Sequence, residues 1–471
     1  MTGVPGSPAA RRALLGRRLR ERIAARGHPL SRAQRRLWIL DRFHPGSSAY
    51  VVPLVYRIDG PLAVAVLERA LSEVVRRHEV LRTVYRTVSG VPRQFVRPAE
   101  PMRIAVEDCA RHESPDAEAD RLAAEEALRP FDLGADPMIR AVLLRLAPER
   151  HRLCLTLHHI ACDGRSVDLL ENELSACYGA WLTGGDPELP PLTEQYADHA
   201  ARQAAGLDDE STRRALDHFL NRLAGAPERS TLRTDHPRPA TPALAGDHLE
   251  FAVEPETTRR VGELAGACGA TPFAVLLAAF VVLAGEHGAG PDVVVGSPVI
   301  SRPRESLRHL IGPFGNLVVQ RFDVSGAPAF RELVERARDE SRAALAHHDL
   351  PFDRLVEELN PPRDPAYNPI FQLMFGHHER EPAGLALPRC RVGMTVGETS
   401  TAKFDLSLNL TSARGRLSAR LEYRTDLFER ATARALGERF RAVLTTAVED
   451  PERSIGDLTP EDRRHEQEAF P

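Results

Sequence analysis

The sequence predicts a mixed α/β protein built as two lobes on either side of one proline-rich crossing. Three observations lead there. The chain has 471 residues, 42% of them hydrophobic, enough to bury at least one large core and to make two or three domain-sized units. Short β-branched and aromatic runs alternate with segments of helical spacing in both halves. Between them, residues 224–245 carry Pro227, Pro237, Pro239 and Pro242 and few large apolar side chains, the composition of an extended surface connector.

In chain order, residues 1–28 read as a polar, partly helical leader or linker whose arginines form a solvated face; a docking helix for a partner is the sharper alternative. Residues 50–58 (YVVPLVYRI) suit a strand. Residues 62–77 place Val66, Leu67, Leu71, Val74 and Val75 on one helical side. Residues 81–85 and 91–96 read as a hairpin around Ser89-Gly90. Two further strands, 139–146 and 152–159, precede a helix at 168–182. The first lobe is therefore drawn as 29–200, and an inter-lobe helix with the connector as 201–248. The second lobe, 249–471, holds strands at 249–253, 292–299, 372–377 and 417–423 and helices at 257–268, 330–347 and 431–448. Its most apolar run, 273–284, reads as a buried helix, with Thr271 placed to cap it and Pro272 suited to its first turn.

Composition removes several function classes. A formal charge of −4 calls for no nucleic-acid partner. The run at 273–284 is too short to span a bilayer, and residues 9–26 lack the continuous apolar core of a secretion signal, so a soluble cytoplasmic monomer without membrane contact is expected. The six cysteines (Cys109, Cys154, Cys162, Cys177, Cys268 and Cys390) form no C-x-x-C pair and are expected as buried free thiols. Lys403 is the single lysine, so arginine carries nearly all the positive charge.

Chemistry concentrates in His158-His159-Ile160-Ala161-Cys162-Asp163-Gly164. On the strand before it, Leu153, Leu155, Leu157 and His159 share one face, and Cys154, Thr156 and His158 the other. Adjacent histidines on opposite faces do not readily chelate one ion, so no metal site is expected. Asp163-Gly164 turns the chain and a helix begins near Arg165. Asp163 is placed to cap that helix or to pair with an arginine; Gly164 suits a close backbone approach or a positive φ. Acyl transfer needs a group that orients or deprotonates a nucleophile, and a frame that holds both reactants in line. A histidine at a strand end, facing a cleft, meets the first need. An isolated one is more often a satisfied core side chain; the seven-residue pattern favours His159 as the active group, with His158 packing or hydrogen-bonding behind it.

His-His-x-x-x-Asp-Gly resembles the signature of nonribosomal peptide synthetase condensation domains, although wax-ester synthases, polyketide-associated acyltransferases, epimerization domains and plant His-x-x-x-Asp acyltransferases share it in whole or part. Further segments match that family in order from about residue 28 onward. They are Leu30-Ser31-Arg32-Ala33-Gln34-Arg35-Arg36-Leu37-Trp38-Ile39-Leu40, Arg77-His78-Glu79-Val80-Leu81-Arg82-Thr83, Tyr196-Ala197-Asp198, Asp235-His236-Pro237-Arg238-Pro239 and Ile311-Gly312-Pro313-Phe314-Gly315-Asn316. Later come His348-Asp349-Leu350-Pro351-Phe352-Asp353, Arg363-Asp364-Pro365-Ala366-Tyr367-Asn368-Pro369, Lys403-Phe404-Asp405-Leu406 and Leu421-Glu422-Tyr423.

The resemblance implies two chloramphenicol-acetyltransferase-like lobes in a V-shaped pseudo-dimer with a tunnel between them. A peptidyl or aryl carrier protein would deliver the donor as a thioester on 4′-phosphopantetheine. The acceptor would be a carrier-bound or free amine or alcohol, and no tightly bound cofactor is implied. His159 aligns with the family's catalytic histidine; His158, Asp163 and Gly164 complete the motif. Asp163 aligns with a structural residue held by an arginine of the second lobe, for which Arg302 is the candidate. Arg82, Arg165, Gly315 and Asn316 are candidate tunnel residues, with a packing role the alternative for Arg82. Trp38 is expected in the core, and His347, His348, His377 and His378 in packing or solvent-facing roles. Two departures stand out: Arg165 follows the motif glycine where the family often has tryptophan, and Gly315 replaces a valine of Phe-Val-Asn-Thr. They suggest an unusual substrate, or drift at tolerant positions. With no adenylation or carrier segment visible, a freestanding enzyme acting in trans and an excised domain both remain open. The rivals are an acyl-CoA-dependent acyltransferase and a non-catalytic carrier-recruitment domain, the latter disfavoured by the intact motif.

Overall fold

The computed structural model describes residues 27–206, 210–302, 304–362, 364–379 and 384–458. The expected leader therefore lies almost wholly outside the described residues. The chain divides into two units, but not into consecutive halves. Of the described residues, the first contains those up to 206, those of Arg302–Phe314 and 384–399; the second contains the others. The boundaries drawn at 29–200 and 249–471 miss this, because two segments of the later half are built into the earlier unit.

The first unit comprises β1 (His28–Pro29), α1 (Arg32–Phe43), β2 (Val51–Asp59), α2 (Val64–Arg77), β3 (Thr83–Val88), β4 (Val91–Val96) and β5 (Ala105–Asp108). It continues with α3 (Pro115–Leu128), β6 (Ile139–Ala147), β7 (Arg150–His158), α4 (Gly164–Leu182), α5 (Tyr196–Ala205) and, from the later segment, β12 (Arg391–Val396). Its main sheet runs β12-β2-β7-β6-β5. β12 pairs antiparallel with β2, Val392 opposite Ile58, which is why 384–399 belongs here. On β7, Leu153, Leu155 and Leu157 pack into a core with Leu67, Leu71 and Val74 of α2 and Leu170 and Leu174 of α4, while Cys154 faces the smaller cluster around Ala119 of α3. The β3–β4 hairpin turns through Ser89 and Gly90, both at positive φ (50° and 79°), the turn whose twist matches paired strands. Leu81, expected on that hairpin, lies instead in the 3₁₀ turn Glu79–Arg82.

The second unit holds α6 (Glu210–Leu223), β8 (Gly246–Val253), α7 (Pro255–Ala267), α8 (Pro272–Ala284), β9 (Asp292–Ile300), β10 (Gly315–Asp323), α9 (Phe330–Ala346), α10 (Phe352–Leu359), β11 (Leu373–Glu379), β13 (Leu406–Ala413), β14 (Arg416–Arg424) and α11 (Arg430–Glu449). Its sheet runs β10-β9-β11-β13-β14-β8. α8 is apolar on every side and buried from Ala274 to Ala284, so it forms the centre of the core. The stretch 272–289 is long and apolar enough to pass for a membrane span, yet it is the interior helix of this unit. Pro272 opens α8 as expected, but the Thr271 side chain makes no capping bond. The proline-rich connector is anchored to the same unit by Arg238, which pairs with the buried Asp405 and lies 4.1 Å from the centre of the Tyr367 ring. None of the six cysteines is in a disulfide; Cys390 is half-buried and the rest are buried.

Candidate active site

β7 ends at His158, and a tight turn carries the chain into α4 at Gly164. His158 points into the core, 4% exposed, with Phe131 edge-on at 5.7 Å. Its Nδ1 accepts from the Ile160 N–H at 3.1 Å, so this ring braces the turn, and a direct catalytic part for it finds no support in that geometry.

His159 lies one residue beyond the strand, so strand alternation does not set its direction as expected. Its backbone N–H donates to Tyr50 O at 2.8 Å, and its half-buried ring places Nδ1 3.2 Å from Cys162 O. A carbonyl oxygen only accepts, so Nδ1 carries the proton. The neutral ring then keeps its lone pair on Nε2, the tautomer a general base needs.

Asp163 both caps the helix and pairs with an arginine, the two roles left open by the sequence. Its Oδ1 accepts from Ser166 N and Ser166 Oγ, both at 2.8 Å, and from Arg302 Nη2 at 3.0 Å. Its Oδ2 accepts from Arg302 Nη1 at 3.2 Å and from Phe314 N at 3.0 Å. The Asp163 and Arg302 side chains are 6% and 9% exposed, so this is a buried, bidentate pair. Arg302 also donates to Leu310 O and covers the Phe314 ring at 4.4 Å. The partner is the expected one, but its segment is packed as part of the first unit, not supplied by the second.

The supporting frame was not legible beforehand. Ser166 Oγ meets both Gly312 O at 2.9 Å and Gly312 N at 3.1 Å. A β-carbon at Gly312 would lie 2.1 Å from Tyr196 Cδ2, so only glycine fits there. The buried Tyr196 hydroxyl donates to Pro313 O at 2.9 Å and meets Ser31 Oγ at 2.8 Å; burial holds this phenol well above the usual range.

Other candidates are placed differently from expectation. Gly164 is the first residue of α4 and has no positive φ. Arg82 is committed to the carbonyl oxygens of Arg97 and Arg76, the packing alternative. Arg165 sits on the exposed face of α4 in an i,i+3 pair with Asp168, 48% exposed, where water screens it. Asn316 is a clamp: its Nδ2 donates to His348 O and Leu350 O, and its Oδ1 accepts from Phe352 N. At Gly315 nothing lies within 4 Å of where a β-carbon would stand. Among the described residues, no three His, Cys, Asp or Glu side chains are grouped to hold a metal ion.

Two mixed α/β units, one carrying an intact His-His-x-x-x-Asp-Gly turn, define the acyltransferase-like class of that signature. The condensation domain family matches residues 25–468, and the chain belongs to this family of nonribosomal peptide synthesis. It is 39% identical over 444 residues to a dimodular nonribosomal peptide synthase of Bacillus subtilis (strain 168), covering 91% of this chain and 18% of that protein. It is 40% identical over 431 residues to phosphinothricin tripeptide synthetase PhsB of Streptomyces viridochromogenes, covering 89% and 36%. The chain thus spans well under half the length of either relative. Among solved structures, the X-domain of teicoplanin biosynthesis in complex with OxyB matches with a TM-score of 0.82 and 30% identity, covering 92% of this chain and 96% of that one. The four-domain nonribosomal peptide synthetase holo-AB3403 matches with a TM-score of 0.83, covering 93% and 34%; at 24% identity that likeness concerns the fold.

Proposed function

We propose that this domain joins an acyl or aminoacyl group, delivered as a carrier-protein phosphopantetheine thioester, to an amine, with His159 as the group that positions and deprotonates the nucleophile. The observation that carries this reading is the His159 tautomer, fixed by Cys162 O beside the buried Asp163 clamp. The amine nitrogen attacks the thioester carbonyl carbon; a C–N bond forms and the C–S bond breaks. Nε2 takes the proton lost by nitrogen and returns it to the leaving sulfur, giving an amide and a thiol. An α-amine has a pKa of about 8, so part of it is already neutral and needs little activation. An alcohol needs its proton removed as it attacks, so general-base help, typically about 10²–10⁴-fold, would matter more there.

The teicoplanin X-domain likeness supports a second reading, a platform that recruits a partner protein. One experiment separates them: the purified chain, an acyl-loaded carrier, and a panel of amine and alcohol acceptors, with products read by mass spectrometry. Condensation predicts product from wild type and a His159→Ala loss that is larger for alcohols than for amines. No product with any pair, or product undiminished by His159→Ala, would overturn the proposal.

A further inference from the structure

His78 belongs to a motif that the proposed chemistry leaves unexplained. It ends α2, and its ring is 0% exposed, yet both ring nitrogens have polar partners. Nδ1 receives the Ile311 backbone N–H at 3.3 Å, so Nδ1 is the acceptor and the proton resides on Nε2. Nε2 donates to Glu173 Oε2 at 2.9 Å. Glu173, on α4, is in turn held by both Nε and Nη2 of Arg77 at 3.1 Å. Burial works against the Glu173 charge, but the hydrogen bonds from His78 and Arg77, with the Arg77 charge, hold its pKa below the usual value.

Ile311 is central to the segment that grips the active-site turn. Leu310 O accepts from Arg302, Gly312 meets Ser166 through both backbone groups, and Phe314 N donates to Asp163. Asp163 adjoins Cys162, whose carbonyl oxygen holds His159 Nδ1. We infer that His78 is a positioning residue: locked in one tautomer by Glu173, it fixes the 310–314 segment and through it the turn that orients His159. This inference rests on the proposed condensation chemistry, and it makes the α2–α4 contact part of the catalytic frame.

The two nitrogens can be tested separately. His78→Asn keeps an acceptor near Nδ1 and loses the Glu173 contact; His78→Gln keeps a donor near Nε2 and loses the acceptor for Ile311. In the carrier-thioester assay, with folding checked by near-UV circular dichroism, His78→Gln is expected to lower kcat about 10- to 100-fold with KM for the acyl-carrier little changed, the cost of a misplaced catalytic group. His78→Asn is expected to recover kcat to within about 3-fold of wild type, a residual loss well under 1 kcal/mol. Where His78→Gln does not fold, Glu173→Met serves: it removes the acceptor for Nε2–H, releases the tautomer lock and should lower kcat with KM again unchanged. Equal kcat for His78→Asn and His78→Gln, or wild-type kcat in Glu173→Met, overturns the inference. Absence of product from wild type would instead defeat the condensation reading itself.

Discussion

Replacing Asp163 by asparagine keeps the shape and removes the charge, so its cost can be worked from the hydrogen bonds. Oδ1 takes three donors and Oδ2 takes two. The amide NH₂ does least harm at the Oδ2 position, where it still confronts Arg302 Nη1 and Phe314 N with a donor. Each buried donor left unmatched costs about 1–3 kcal/mol, more when charged. Breaking one side of a buried pair costs about 3–5 kcal/mol overall. For a unit of about 150–250 residues that is a fall in Tm of roughly 6–20 °C. Differential scanning calorimetry on the purified variant reads it, alongside the condensation rate, which should fall as the turn loosens. Asp163→Asn combined with Arg302→Met removes the stranded cation and should destabilise by less than the sum of the single changes. A soluble Asp163→Asn protein that melts as wild type would refute the structural role assigned to this carboxylate.

His199 is half-buried with Nδ1 3.3 Å from Arg304 Nη2; burial, then the charges of Arg304 and Arg302, push its pKa down to about 4 from an ordinary 6.5. Between those values the unfolded chain binds a proton that the folded chain excludes, so the stability from neutral His199 is complete above 6.5 and is lost as pH falls toward 4. His199→Leu should flatten the fall in Tm across that window; an unchanged slope would refute this. At Gly315, where nothing lies within 4 Å of a β-carbon and φ is not positive, Gly315→Val should hold or raise Tm, by up to about 1 kcal/mol of stability. A clear drop in Tm would show that the space is required.

The local pattern made much of the fold legible. The hydrophobic runs at 50–58, 139–146 and 292–299 are strands within a residue or two, and 273–284 is the buried helix, because an all-apolar run can only face a core. The Asp163–Arg302 pair was anticipated only through the family resemblance; the residues alone left Asp163 as a helix cap or a partner for some arginine. The sequence by itself therefore determined the class of each main element, the catalytic candidate at His159 and its acidic neighbour. What only the tertiary structure decided is which distant segments meet. Strand pairing places β12 beside β2 across more than 300 residues of chain, and no periodicity within either segment encodes that partner. The His159 tautomer depends on the Cys162 carbonyl, and Gly312 is fixed by a Tyr196 ring far away in sequence. Hydrogen-bond direction and steric exclusion belong to atoms brought together in space, so they can be read only once the chain has closed on itself.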